Sequence, residues 1–217
     1  MELYTYPVTS NALKIELFIH VQNIALDTGI INLPQGKHKT RDYLAINPAR
    51  KIPVLVNGSH VLSESNAILV YLAQYHQSLL WPSTIEAQAK VMQWLFWQAT
   101  AWMPVAGGFA HQRVLRPAWG GQPDEEKLRS IHSGFDSACA LLSSHLEKQH
   151  FLAGDKVSLA DIAVGAFFIF REEALMNIEK FEDLYRWLKE LESHSWWQAT
   201  RSNANIFLKS IHVYTSK

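Results

Sequence analysis

An Asn57-Gly58 pair stands between two runs of alternating apolar residues, Pro53-Val-Leu-Val56 and Ser59-His-Val-Leu62. This pair is the strongest short-range signal for a β-hairpin, because a type I′ turn needs positive φ at two successive residues and Asn-Gly supplies it at little steric cost. The hairpin fixes two adjacent antiparallel strands, and the preceding chain must fit around them. Upstream, Glu2-Leu-Tyr-Thr-Tyr6 reads as a strand ended by Pro7. Residues 11–20 then carry Leu13, Ile15, Leu17, Phe18 and Ile19 at helical spacing, and residues 25–33 read as a second strand. A strand–helix–strand unit of this size is parallel and right-handed. The loop Pro34-Gln-Gly-Lys-His-Lys39 leads to a short helix over 41–46, which Asn47-Pro48 ends, since a residue before proline is pushed out of the helical region. Ser63-Glu-Ser-Asn66 offers N-cap residues for a helix running to about residue 76. The expected order is βαβαββα.

Beyond Gln77 the strand-like alternation stops. Helical patterns cover roughly 85–105, 124–150, 158–175 and 181–192, broken at Gly107-Gly108 and Gly120-Gly121-Gln-Pro123. The expected division is an α/β domain over 1–78, a linker over 79–86 and an all-α domain over 87–217. With 48% hydrophobic residues, among them eight Trp, ten Phe and seven Tyr, the chain can fill two cores. Twenty basic and twenty acidic residues balance, so neither a nucleic acid nor a membrane surface is an expected partner. The chain opens on Met1-Glu-Leu-Tyr without a basic and apolar leader pattern, which makes the cytoplasm the expected location. Cys139 is the lone cysteine, within a helical apolar pattern that marks it as a small core residue. The ten histidines show no HExxH or other tight ligand spacing, so no metal is expected.

Several spaced elements occur in one order: Gly36-Lys-His38-Lys39, Tyr43-Leu, Asn47-Pro48, Lys51-Ile52-Pro53-Val-Leu and Glu64-Ser65. Together they resemble the glutathione-binding half of cytosolic glutathione transferases. The Gly-x-His-Lys run is most similar to the phi class, and Gln93-Trp-Leu-Phe-Trp-Gln98 is similar to the bacterial nu class. The resemblance implies a thioredoxin-like N-terminal domain with a cis-proline, Pro53, before the third strand, and a homodimer using glutathione as co-substrate. It implies that His38 and Lys39 bind the glycine carboxylate with Lys51 at the same end. Ile52 lends its backbone N–H and C=O to the cysteinyl segment. Glu64 and Ser65 receive the γ-glutamyl end, although Ser63 or Ser65 is equally a plain helix cap.

The family places its sulfur activator just past the first strand. Here that stretch reads Thr9-Ser10-Asn11, and counting back from Lys14 and Ile15 in the phi-class pattern selects Thr9, with Ser10 as the near competitor. Asn11 completes a Thr-x-Asn arrangement similar to the nu class. A thiol titrates near 8.5, so a hydroxyl or amide donor and a helix N-terminus are needed to favour its anion at neutral pH. With no cysteine at these positions the expected chemistry is hydroxyl-type.

In the helical half, Trp97, Trp102, Met103 and Phe109 are candidates for an apolar electrophile pocket, with His111 and Arg113 as polar contacts. Ser158 and Asp161 form a capping-box pattern. Transfer of glutathione to small hydrophobic electrophiles is the expected activity, with peroxide or disulfide reduction through the same thiolate. A non-catalytic glutathione-binding or hydrophobic-ligand-carrying module of the same fold is the alternative.

Overall fold

The computed structural model describes residues 1–215, with side chains to Ile211. Four strands form one sheet in the order β2-β1-β3-β4: β1 Glu2–Thr5, β2 Asp27–Ile30, β3 Val54–Asn57 and β4 His60–Ser63. β1 pairs parallel with β2 and antiparallel with β3, and β3 runs antiparallel to β4. The helices of this half are α1 Ser10–Gln22, α2 Arg41–Ile46 and α3 Ser65–Tyr75. The N-terminal domain is therefore thioredoxin-like, and the Ile52–Pro53 bond is cis.

The hairpin forms, but its turn is centred one residue later than the sequence suggests. Asn57 pairs with His60, so Gly58 and Ser59 make the loop. Gly58 has φ 60 while Asn57 and Ser59 stay at negative φ. Positive φ at the first central position alone is the II′ pattern, not I′.

The helical half begins with α4 Ile85–Trp97, which runs unbroken through a π-helical segment Gln98–Gly107, α5 Gly108–Ala110, a second π segment His111–Leu115 and α6 Arg116–Ala118. Pro104 lies inside the first π segment, where a missing N–H and the wider turn go together. Then come α7 Glu125–Leu146, α8 Leu159–Gly165, α9 Glu182–Ser193 and α10 Ser195–Thr215. α8 is shorter than expected: it tightens at Ala166–Phe168 and then leaves regular helix. α10 is absent from the sequence-based reading. Its Ser, Thr and Asn residues disfavour a helix interior, yet Trp197, Thr200, Ala204 and Ile211 are buried at helical spacing, and this face packs on α1.

The core of the helical half is aromatic. Trp102 has no exposed surface; it stacks on Trp97 at 5.9 Å and on Phe135 at 5.6 Å, and its indole N–H donates to Val164 O at 3.1 Å. Cys139 is fully buried, and burial pushes its thiol well above the ordinary range, so it supplies no thiolate. Among the described residues no helix is long and apolar enough to cross a membrane, and no cluster of His, Cys, Asp and Glu has the makings of a metal site.

Candidate functional site

Thr9 is the residue on which α1 begins. Its backbone is extended, φ −84 and ψ 139, and its hydroxyl donates to Tyr6 O at 3.1 Å instead of capping the helix. The N–H groups of Ser10 and Asn11 have no backbone acceptor among the described residues, as the first turn of a helix requires. Two amides, the positive end of the α1 dipole and a hydroxyl that can rotate off a local carbonyl thus share one place. That is the equipment for holding an anion. The Ser10 side chain makes no hydrogen bond among the described residues.

Asn11, one residue into the helix, links this end of the site to another. Its amide oxygen accepts from Ser65 Oγ at 3.3 Å, across 54 residues of sequence. Ser65 opens α3 and is buried, but neither Ser63 nor Ser65 caps the helix. The cap position belongs to Glu64, whose backbone stands at φ 69 and ψ 110 with its side chain making no cap bond. A non-glycine residue at positive φ costs energy and persists where the surroundings hold it. Here it leaves the carboxylate of Glu64 exposed beside the free amides of the α3 start.

Ile52 precedes the cis proline that leads into β3. Its N–H and C=O make no backbone hydrogen bond among the described residues, so the edge before β3 is open to an extended peptide. The loop that presents it is anchored at Lys51: Lys51 O accepts from the Tyr43 hydroxyl at 2.6 Å and from Asn47 Nδ2 at 2.8 Å. Asn47 Oδ1 also accepts from Ala49 N at 3.1 Å. Both anchors belong to spaced elements quoted from the sequence, but their bonds to Lys51 O were not expected, although Asn47 before a proline is an Asx-turn signal. Asn47→Ala removes one of two bonds to Lys51 O together with the turn, a loss of about 1–2 kcal/mol in loop order. The expected outcome is a several-fold rise in KM for glutathione with kcat little changed, read by steady-state kinetics.

The Lys37–Lys39 turn carries His38 and Lys39. His38 Nδ1 is buried without a hydrogen-bond partner, and burial with the charges of Lys39 and Arg50 lowers its pKa. His38 is therefore neutral at physiological pH, and the positive charge of this corner comes from Lys39, Lys51 and Arg50, the last at φ 60. Arg50 was not among the expected residues.

The pocket candidates in the helical half divide. Trp102 is a core residue, as its full burial shows. Phe109 is also buried; it packs on Phe135 at 4.9 Å and borders a cavity of about 260 Å³ with His132, Asp136 and Lys180, which takes no residue from the N-terminal domain. Trp97 leans on Trp94 and Trp102, while Met103 is 40% exposed. Arg113 pairs with Glu125 at 3.1 Å. His111 is exposed and meets the edge of Trp119, whose ring stands 6.3 Å from Tyr6. Tyr6 in turn makes an edge contact with Phe207 of α10 at 5.1 Å. Trp119 and Phe207 thus meet Tyr6 from the helical half, and neither was among the expected pocket residues.

Residues 1–74 match the profile described as "Glutathione S-transferase, N-terminal domain", and residues 103–195 match "Glutathione S-transferase, C-terminal domain". Glutathione S-transferase 3 of Zea mays is 32% identical over 164 residues, covering 74% of this chain and 73% of the relative. The chain belongs to the glutathione S-transferase family. Human glutathione S-transferase theta-2B is 33% identical over 165 residues, covering 75% of this chain and 68% of the relative. The crystal structure of human glutathione transferase theta-2, in complex with glutathione and an unknown ligand, superposes with a TM-score of 0.83 at 27% identity, over 97% of this chain and 88% of that one. The relatives are of the plant phi and theta classes.

Proposed function

We infer that this chain is a glutathione transferase with a hydroxyl-type site, activating the glutathione thiolate for attack on small hydrophobic electrophiles. The observation that supports this is the contact between Asn11 and Ser65, which brings the α1 start and the α3 start, two sequence-distant motifs, together. Thr9 donates to the sulfur, supported by the free amides of α1 and by Asn11. The cysteinyl segment pairs with the open backbone of Ile52. Lys39, Lys51 and the neutral His38 take the glycine carboxylate. Glu64 pairs with the γ-glutamyl ammonium, and Ser65 with the α3 amides holds the adjoining carboxylate.

The thiolate is the nucleophile. It forms a C–S bond to the electrophile while the leaving group departs with its electron pair, and no protein atom becomes covalently attached. The electrophile approaches past Trp119, His111, Met103 and Trp97. The same thiolate serves peroxide or disulfide reduction. The working unit is a cytoplasmic homodimer, with Phe96 of α4 and Tyr75 of α3, 64% and 58% exposed, as contacts to the second copy.

The test is purified protein with glutathione and chlorodinitrobenzene. Glutathione-dependent growth of the aryl thioether absorbance is the expected result. Binding of S-methylglutathione without any turnover would instead make the chain a glutathione-binding module.

A further inference from the structure

Lys14 of α1 is a buried cation, 1% exposed, that the chemistry above does not use. Its ammonium donates to Asn66 Oδ1 at 2.8 Å and to Gln98 Oε1 at 2.7 Å, and stands 5.9 Å from the Phe167 ring. Asn66 Nδ2 in turn donates to Leu95 O at 2.7 Å and to Gln98 Oε1 at 3.0 Å. Gln98 Nε2 is buried with no partner. The node therefore binds three pieces together: the helix that starts at Thr9, the first turn of α3, and the point where α4 passes into its π segment.

Both acceptors of this ammonium are neutral amides, so a nearly dry positive charge has no carboxylate in contact. Burial lowers the lysine pKa to about 7, against an opposing pull from Glu64. The elements packed on α1 offer nothing better. α3 presents Asn66, with Glu64 one turn-start ahead, and the Ala166–Phe168 turn presents Phe167. On α8, Asp161 is committed to Leu152 N, Ser158 and Trp187. On α10, Arg201 pairs with Glu172 and Glu173. On α1 itself, Glu16 lies in a groove with Asn203 and Phe207 of α10, and His20 is bonded to Thr200 and Asn203.

We propose that Lys14 is a positioning residue for glutathione: the γ-glutamyl carboxylate, seated at Ser65 and the α3 amides, is the missing counter-charge, and its arrival draws a proton onto Lys14. This rests on the glutathione reading above. An anion beside Asn66 stabilises the charged form of the lysine, and by reciprocity the charged lysine tightens the anion. Below pH 7 Lys14 already carries its proton in the free protein, so affinity is highest there. Above it, binding must take up a proton, and affinity falls toward about tenfold per pH unit until the raised pKa of the bound state is passed.

The experiment is titration calorimetry with S-methylglutathione, which has no thiol to titrate, between pH 6.5 and about 8.5, in two buffers of different ionisation enthalpy. Wild-type protein is expected to show proton uptake at the alkaline end and falling affinity. Lys14→Arg, whose charge does not titrate in this range, is expected to bind without proton uptake and to hold its affinity as pH rises. Lys14→Met is expected to bind about tenfold more weakly at pH 6.5, with the difference from wild type shrinking as pH rises. The ligand's own amine titrates alike in all three proteins, so only the differences bear on Lys14. S-methylglutathione binding by wild type with no proton exchange, or the same pH slope in Lys14→Arg, overturns the inference and leaves the glutathione reading standing. No S-methylglutathione binding by wild type at any pH overturns both.

Discussion

Asp161→Ala is expected to lose about 4 kcal/mol of folding stability, at about 1 kcal/mol or more for each buried donor left without an acceptor. The sequence motif alone, a helix cap, predicts about 1 kcal/mol. The difference lies in what the carboxylate touches. It accepts from Ser158 N at 2.9 Å and Ser158 Oγ at 2.8 Å, closing the capping box. It also accepts from Leu152 N and from the Trp187 indole, each at 2.9 Å. Asp161 is wholly buried, so these four donors have no contact with bulk solvent in the native protein. One side chain thus ties α8 to the 150–154 turn and to α9. For a chain of this size the expected drop in melting temperature is about 8–16 °C. Glutathione affinity of the folded fraction should be unchanged, because Asp161 bonds to Leu152, Ser158 and Trp187 and to none of the candidate site residues. Lost affinity at an unchanged melting temperature would contradict this.

Thr9→Ala is expected to lower kcat/KM about 10²–10³-fold, the range for removing one preorganised donor from a developing or resting anion. Ser10→Ala should stay within a few-fold of wild type. Losing a donor to the thiolate raises the pKa of bound glutathione, so the pH–rate profile of Thr9→Ala shifts to the alkaline side. The ultraviolet absorbance of enzyme-bound thiolate, followed against pH, reads this directly. If that titration is unchanged in Thr9→Ala and displaced in Ser10→Ala, the hydroxyls exchange roles. Thr9 is the residue before the first helical one, and its hydroxyl donates to Tyr6 O in the free protein.

The N-terminal fold was legible because its signals are local. Pro7, Asn47-Pro48 and Gly58 each enforce a backbone event at one place, and the strands between them are short. The turn centre moved by one residue because strand register, set by Asn57 opposite His60, decides it, and sequence carries register only weakly. The helical half was less legible for two reasons. A polar helix such as α10 is held by its packing on α1 rather than by propensity. An aromatic stripe shows that a face is apolar without showing what faces it, which is why Trp102 was a pocket candidate and proved to be core. In the site, the order of motifs supplied the candidate binding residues and included Tyr43 and Asn47, but not the bonds by which these two anchor Lys51 O. Lys14 served only as a spacing marker in the sequence, since nothing in a single chain says that a lysine will be buried.

The stacked pair Trp97 and Trp102 is five residues apart, where an α-helix brings residues three or four apart onto one face. The segment from Gln98 to Gly107 therefore holds one register that ordinary helix counting does not keep. Deleting a single residue from the regular helix that leads into it, α4, would turn everything beyond by about 100°. Trp119 would then leave Tyr6, and Trp102 would leave Phe135. In this chain the length of one helix is part of the alignment between its two halves, so drift in this stretch is constrained in residue count as well as in residue type.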